Sequence, residues 1–323
     1  MKAIVQDVYG SADVLELRDI ARAEPSDGEV LIRVRAAGVD QGVWHLMAGL
    51  PYMVRLFGYG LKAPKVPVRG REVAGVVEAV GPGVSRFSAG DGVFGTCEGS
   101  FAEYACAREA RLARKPAHLT FEESAAAPIS GVTALQAVRD AGKVGAGQKV
   151  LVIGAGGGVG SFAVQIAKAF GAEVTGVCST GKVGFVRSLG ADEVIDYTTS
   201  EISDAGTLYD VIIDTAGNRR LSVLRHSLAS KGTLVIVGGE GGGGLTGGFQ
   251  RALAAPLASL FSSRKLKGLV AKETHTDLEA LASLIEAGKI KPAVDRVFPL
   301  AEAPAAIRYL RDGRVHGKVV VRV

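Results

Sequence analysis

Along the first third of the chain, apolar residues fall at every second position or in short β-branched runs. AIVQDV, VLELRDI and EVLIRVRAAGV read as strands with one covered face. Turn residues separate them, at Tyr9-Gly10-Ser11 and at Pro25-Ser26-Asp27-Gly28. Residues 40–65 lose the pattern and carry Trp44, His45, Tyr52, Phe57 and Tyr59. Strand and turn then return at Val66–Gly83, Asp91–Gly95 and Ser100–Ala105, so this region predicts a glycine-punctuated β domain.

The period changes near Thr120. Thr120 with Glu123 three residues on predicts a helix cap, and Ser130 predicts a second cap for a helix over 131–141. Strands at 149–153, 173–177, 193–196, 209–214 and 233–237 then alternate with helices at 161–170, 182–189 and 218–229. Such alternation predicts a doubly wound parallel sheet, an α/β fold. Beyond Val237 come a glycine-rich loop, an interrupted helix over 249–261, a strand at 266–271 and a helix at 276–287. The tail, with VDRVFPL, a helix at 302–312 and KVVVRV, returns to the style of the first region.

Lys149–Gly160, KVLVIGAGGGVG, joins a buried strand to a helix through glycines. A helix that starts there aims N–H groups and the positive end of its dipole at an anion, and a dinucleotide pyrophosphate fits. The dinucleotide fingerprint Gly-x-Gly-x-x-Gly is matched as Ala155-x-Gly157-x-x-Gly160, with alanine in the first place. Gly157, Gly158, Val159 and Gly160 are therefore expected to cradle the pyrophosphate. Ala216 and Gly217 after one strand, and Val237, Gly238 and Gly239 after another, stand at strand carboxyl ends, where α/β folds bind ligands.

Composition narrows the reading. The chain has 323 residues, enough for two domains, with 47% hydrophobic and 22% charged residues. No apolar run reaches the ~18 residues of a membrane span, so no membrane partner is expected. The net charge of +5 suits a polyanionic cofactor. Its Lys and Arg are spread out, without the basic–aromatic interleaving of a nucleic-acid binder. Three scattered cysteines make no disulfide framework, and the first ten residues read as a strand, so a cytoplasmic home is expected.

Several segments together resemble the medium-chain dehydrogenases/reductases, in their zinc-free, quinone oxidoreductase-like (zeta-crystallin-like) branch. They are Ala37-Gly38-Val39-Asp40, Gly70-Arg71-Glu72-Val73-Ala74-Gly75, Ser130-Gly131-Val132-Thr133-Ala134, the glycine turn, Leu189-Gly190-Ala191-Asp192 and Gly317-Lys318-Val319-Val320. The resemblance implies a GroES-like substrate domain from residues 1–121 and 273–323, a Rossmann domain over 122–272, and a nicotinamide cofactor in the cleft. Zinc-dependent members of the superfamily place cysteine near position 40 and histidine in a Gly-His-Glu motif. Here Asp40 and Arg71 stand there, and no metal is expected. Reduction of an electron-poor quinone or α,β-unsaturated carbonyl then fits better than alcohol oxidation. A zinc-free alcohol/aldehyde dehydrogenase and a non-catalytic NADPH sensor are the rivals.

The strand 173–177 should end beside the adenosine ribose, where NAD enzymes carry Asp or Glu. Cys178-Ser179-Thr180-Gly181-Lys182 follows it, so Ser179, Thr180 and Lys182 predict NADPH. The resemblance places Thr133 near the nicotinamide and phosphates. Lys318 either reaches the cofactor or lies at the surface. Asp40 and Tyr52 are the candidate catalytic residues, with Tyr52 as a proton donor to the reduced acceptor; Tyr52 and Trp44 read equally well as core. The apolar strand at 266–271 would form a sheet edge, which predicts a homodimer.

Overall fold

The computed structural model describes residues 1–53, 55–202, 206–238, 247, 251, 255 and 263–323. It divides into two compact units: residues 1–132, 273–288 and 292–323 form one, and residues 133–272 and 289–291 form the other.

The first unit is β-rich. β1 (Lys2–Val5) pairs antiparallel with β2 (Glu16–Asp19). β3 (Glu29–Val39) leads into α1 (Gln41–Ala48), and β4 (Glu72–Val80), β5 (Gly92–Thr96), β6 (Tyr104–Arg108) and β7 (Leu112–Arg114) follow. α1 departs from the sequence reading, which left residues 40–65 irregular. Asp40 supplies its cap by accepting from the Val43 N–H at 2.9 Å, and Gly49 ends it in the left-handed conformation. From the end of the chain, β14 (Val294–Pro299) and β15 (Lys318–Arg322) join this sheet, whose order is β14-β15-β3-β4-β5-β7 with β6 on β3. Val30, Ile32, Val34, Val73, Val77 and Val93 form one core within it.

α2 (Phe121–Ala125) opens on the predicted capping box of Thr120 and Glu123. α3 (Pro128–Leu135) starts three residues earlier than the sequence suggested. Proline is preorganised for a helix's first position, so Ser130 lies inside the helix instead of capping it. The helix continues as a π-helical stretch over Gln136–Gly142.

The second unit holds a parallel sheet in the order β10-β9-β8-β11-β12-β13. Its strands are β8 (Lys149–Ile153), β9 (Glu173–Cys178), β10 (Glu193–Asp196), β11 (Tyr209–Asp214), β12 (Leu228–Ile236) and β13 (Lys265–Gly268). α4 (Gly158–Ala169), α5 (Val183–Ser188) and α6 (Leu221–His226) connect them. This is the predicted α/β architecture, one unit β-rich and the other a doubly wound parallel sheet. β12 begins five residues before the expected start, because Leu228 is buried and pairs with Tyr209 across an irregular register. α6 is correspondingly shorter than the predicted 218–229 helix. The predicted 249–261 helix and most of the glycine loop before it lie outside the described residues. α7 (His275–Glu286) and α8 (Ala303–Arg311) belong to the first unit.

Candidate functional site

The glycine turn after β8 is built as its chemistry requires. Gly154 takes the left-handed conformation, φ +81°, and a Cβ there would lie 2.5 Å from Thr215 Oγ1. Gly154, one residue before the fingerprint's first position, therefore makes the tight turn, which explains why Ala155 is tolerated. A Cβ at Gly160 would overlap the carbonyl oxygen of Gly154, so α4 can start this close to β8 only with glycine there. Gly157 is the cap of α4 and contributes no side-chain hydrogen bond. Gly157, Gly158 and Val159 are partly exposed, while Gly160 is buried. The result is an accessible, uncapped helix N-terminus suited to a pyrophosphate.

Lys182 packs against this turn. A Cβ at Gly156 would meet its Cδ at 2.7 Å, so the lysine stem lies against the glycine turn. Ser179 is half-buried and Thr180 exposed at the end of β9. Sequence reading missed their neighbour Asp196, which ends β10 opposite Cys178. Its carboxylate accepts from the Thr198 N–H at 3.0 Å and the Thr198 hydroxyl at 2.8 Å, and Thr198 in turn meets Thr180 at 2.8 Å. Hydrogen bonds from Thr180 and then Thr198 hold Asp196 below the usual carboxylate range. The exposed ring of Tyr197 follows it. A search limited to the residues after β9 could not find these two, because they arrive from the adjacent strand.

At the end of β11, buried Asp214 accepts from the Gly217 N–H at 2.9 Å and from Arg251 at 3.0 Å. Ala216 is partly exposed beside Gly217, which adopts φ +68°. Val237 and Gly238 follow β12, and a Cβ at Gly238 would overlap Thr215 O. Gly239 lies outside the described residues. Thr133 is half-buried in α3.

In the first unit, the motif residues assemble into a charged cluster. Lys318 Nζ binds Glu72 Oε2 and lies 3.2 Å from Ser130 Oγ; Glu72 Oε1 accepts from the Ile129 N–H at 2.9 Å. Glu72 is fully buried and Lys318 is only 2% exposed, so the lysine is an interior counter-charge and not a surface residue. Burial pushes the Glu72 carboxyl up, and Lys318 opposes that shift. Arg71 pairs with Glu273, which also accepts from Thr96 Oγ1 at 2.9 Å. Burial works against the Arg71 charge, yet Glu273 and then Asp40 more than offset it. Asp40 Oδ1 caps α1, and its buried Oδ2 has no hydrogen-bond partner among the described residues.

Tyr52 is 52% exposed, and the Arg55 guanidinium lies 4.9 Å from its ring centroid and 4.4 Å from that of Tyr9. Trp44 packs on the core under Arg311, and His45 Nδ1 meets the Leu50 carbonyl at 2.8 Å. A separate groove of about 760 Å³ beside Glu273 is lined by Thr96, Cys97, Glu98, Arg108, Arg111 and His275, and holds none of the predicted site residues.

Residues 26–117 match the alcohol dehydrogenase GroES-like domain, and residues 189–321 match the zinc-binding dehydrogenase domain. Across 338 residues, 99% of this chain and 98% of the relative, the chain is 33% identical to a chloroplast envelope quinone oxidoreductase homolog of Arabidopsis thaliana. The chain belongs to the quinone oxidoreductase-like medium-chain dehydrogenases/reductases. It is an oxidoreductase of that family. Among solved structures, an NAD-dependent alcohol dehydrogenase superposes with TM-score 0.85 at 31% identity, covering all of both chains. A mycobacterial protein complexed with NADPH gives TM-score 0.84 at 29% identity, again covering all of both.

The zinc in the second domain's description finds no suitable residues here. Arg71 has no lone pair to donate, Glu72 is engaged by Lys318 and Ile129, and Asp40 uses one oxygen as a cap. Among the described residues, no group of three or more His, Cys, Asp or Glu could hold an ion. The nicotinamide cofactor does fit, because the glycine cradle and open helix terminus leave room that a Cβ would fill.

Proposed function

We propose that this chain is a zinc-independent reductase that uses NADPH to reduce a quinone or an α,β-unsaturated carbonyl. The observation that carries the reading is the charge cluster of the first unit, where Arg71 and a lysine-bound Glu72 replace metal-ligand chemistry. An acceptor that is already electron-poor needs no Lewis acid.

When bound, NADPH supplies a hydride to the acceptor. Gly157, Gly158, Val159 and Gly160 would hold its pyrophosphate on the α4 terminus, Ala216, Gly217, Val237 and Gly238 would line it at the strand ends, and Thr133 would serve the nicotinamide. Ser179, Thr180 and Lys182 receive the 2′-phosphate; Lys182 on the glycine turn supports this assignment. Lys318 acts from behind the site by fixing Glu72 and Ser130. Asp40 orients the acceptor, and exposed Tyr52 is the proton donor. Correct positioning provides most of the rate.

Asp196 favours a second reading, with NADH as the cofactor, since a carboxylate near the ribose accepts from a 2′-hydroxyl and repels a 2′-phosphate. Fluorescence titration with both cofactors separates the two. NADPH oxidation against a panel of quinones, enones and aldehydes, with and without a chelator, tests the reaction; chelator-sensitive alcohol oxidation alone refutes it.

A homodimer is part of the proposal. β13 is an outer strand of its sheet, and Val270 just beyond it is 76% exposed. A cytoplasmic setting accords with three unpaired cysteines, Cys97, Cys106 and Cys178. No described helix is long and apolar enough to cross a membrane.

A further inference from the structure

Arg71 and Asp40 together make a donor–acceptor pair that the fold itself leaves unsatisfied. Among the described residues, Arg71 Nε and Asp40 Oδ2 are both buried without a hydrogen-bond partner, and Asp40 is only 9% exposed. The two side chains are neighbours: a Cβ at Gly42 would lie 2.9 Å from Asp40 Oδ1 and 3.8 Å from Arg71 Nη1. Glycine at position 42 lets Asp40 Oδ1 lie where a Cβ would crowd it. Each side chain is fixed elsewhere, Asp40 by the Val43 N–H and Arg71 by Glu273, so neither can turn away to find another partner. Buried polar atoms are costly unless a partner satisfies them.

We propose that Arg71 and Asp40 determine specificity by selecting acceptors that carry a hydrogen-bond donor beside the reducible carbonyl. The carbonyl oxygen accepts from Arg71 Nε, and the neighbouring hydroxyl donates to Asp40 Oδ2. A plain ketone satisfies the arginine and leaves the carboxylate oxygen unpaired. A free carboxylate is selected against, because Asp40, Glu273 and Glu98 all face the Arg71 charge. The preference rests on the reductase reading above for its consequence in turnover, but the pair can be probed by binding alone.

The experiment titrates the full chain calorimetrically with 2-hydroxycyclohexanone and with cyclohexanone, and compares kcat/KM for 2-cyclohexen-1-one and its α′-hydroxy counterpart with NADPH. The hydroxylated member of each pair should be favoured by about tenfold or more, the effect of one well-made buried hydrogen bond to a charged group. In Asp40→Asn, the cap is retained and an N–H replaces the acceptor oxygen, so the ratio should fall to one or below. Arg71→Gln should weaken binding of both ketones. If Arg71 only tethers Glu273, that variant loses stability and leaves the ratio and the ketone affinities unchanged, which overturns the proposal. Equal affinity for the two ketones in the unaltered protein overturns it as well. Selective ketone binding without turnover of either enone refutes the reductase reading and leaves the pair's selectivity standing.

Discussion

Replacing Lys318 with methionine tests whether the buried cluster is held by charge compensation. The substitution keeps the stem's volume and removes the ammonium that binds Glu72. Both partners are essentially out of solvent, at 2% and 0% side-chain exposure, so water cannot take the lysine's place. Glu72 would keep only the Ile129 N–H, at 2.9 Å. Breaking a buried pair from one side costs about 3–5 kcal/mol, and in a domain of this size that lowers Tm by roughly 6–20 °C. The pH dependence has a definite sign. Burial already raises the Glu72 carboxyl, and removal of Lys318 takes away the largest opposing influence, so its pKa rises further. A carboxyl raised in the folded state contributes stability below its unfolded pKa and loses it as pH climbs through the folded value. The deficit of Lys318→Met should therefore be smallest near pH 4 and grow toward neutrality, where Glu72 must either ionise unpaired or hold a proton. Differential scanning calorimetry across pH reads both effects, and Lys318→Met/Glu72→Gln should recover part of the loss. A Tm change of less than about 2 °C that does not vary with pH would refute the account.

Other outcomes follow from the second unit. Lys182→Ala should weaken NADPH binding by about tenfold or more while leaving NADH affinity nearly unaltered, read by nicotinamide fluorescence. Asp196→Asn should shift preference toward NADPH in the same titration, since it removes a negative charge beside Thr180. Gly160→Ala should abolish binding of both cofactors, because its methyl would overlap the Gly154 carbonyl; undiminished affinity would mean that α4 can retreat from β8. Sedimentation equilibrium at micromolar concentration should give twice the chain mass, and a charged residue at Leu266, such as Leu266→Lys, is a poor test because that side chain is 2% exposed; Val270→Asp is the suitable one and should favour the monomer.

Periodicity was a sufficient guide where the covalent pattern and the burial coincide. β8 and β11 have the expected bounds because each is a short apolar run between turn residues, covered on both sides in a parallel sheet. α1 was not legible in the same way. Its eight residues include Gly42, Trp44 and His45, and their apolar spacing is too short to register as helical. The signal present was local, with Asp40 as cap and Gly49 as terminator. Asp196 was passed over, and Lys318 left between two roles, for a different reason. Their roles are set by partners about 16 and 246 positions away, Thr180 and Glu72, which only strand pairing brings near.

Positions 40, 71, 72 and 318 have to be understood together. Three carboxylates, Asp40, Glu72 and Glu273, meet in the first unit and would repel one another if the fold supplied no cation. Lys318 answers Glu72, and Arg71 answers Glu273 and Asp40. Asp40 also pushes the Glu72 carboxyl up, so the two ion pairs share an electrostatic link. An arginine where zinc relatives carry histidine is therefore more than the loss of a ligand: its guanidinium supplies a positive charge, while its planar N–H groups give that charge a direction. Arg71→Gln should consequently remove the cation that balances Asp40 and leave the Asp40 charge to press harder on the Glu72 carboxyl, a push that matters less once Lys318→Met has already favoured the neutral carboxyl. A double variant with Lys318→Met should then cost less than the two single changes combined. Strict additivity would mean that the two pairs stabilise the unit independently and that Asp40 does not connect them.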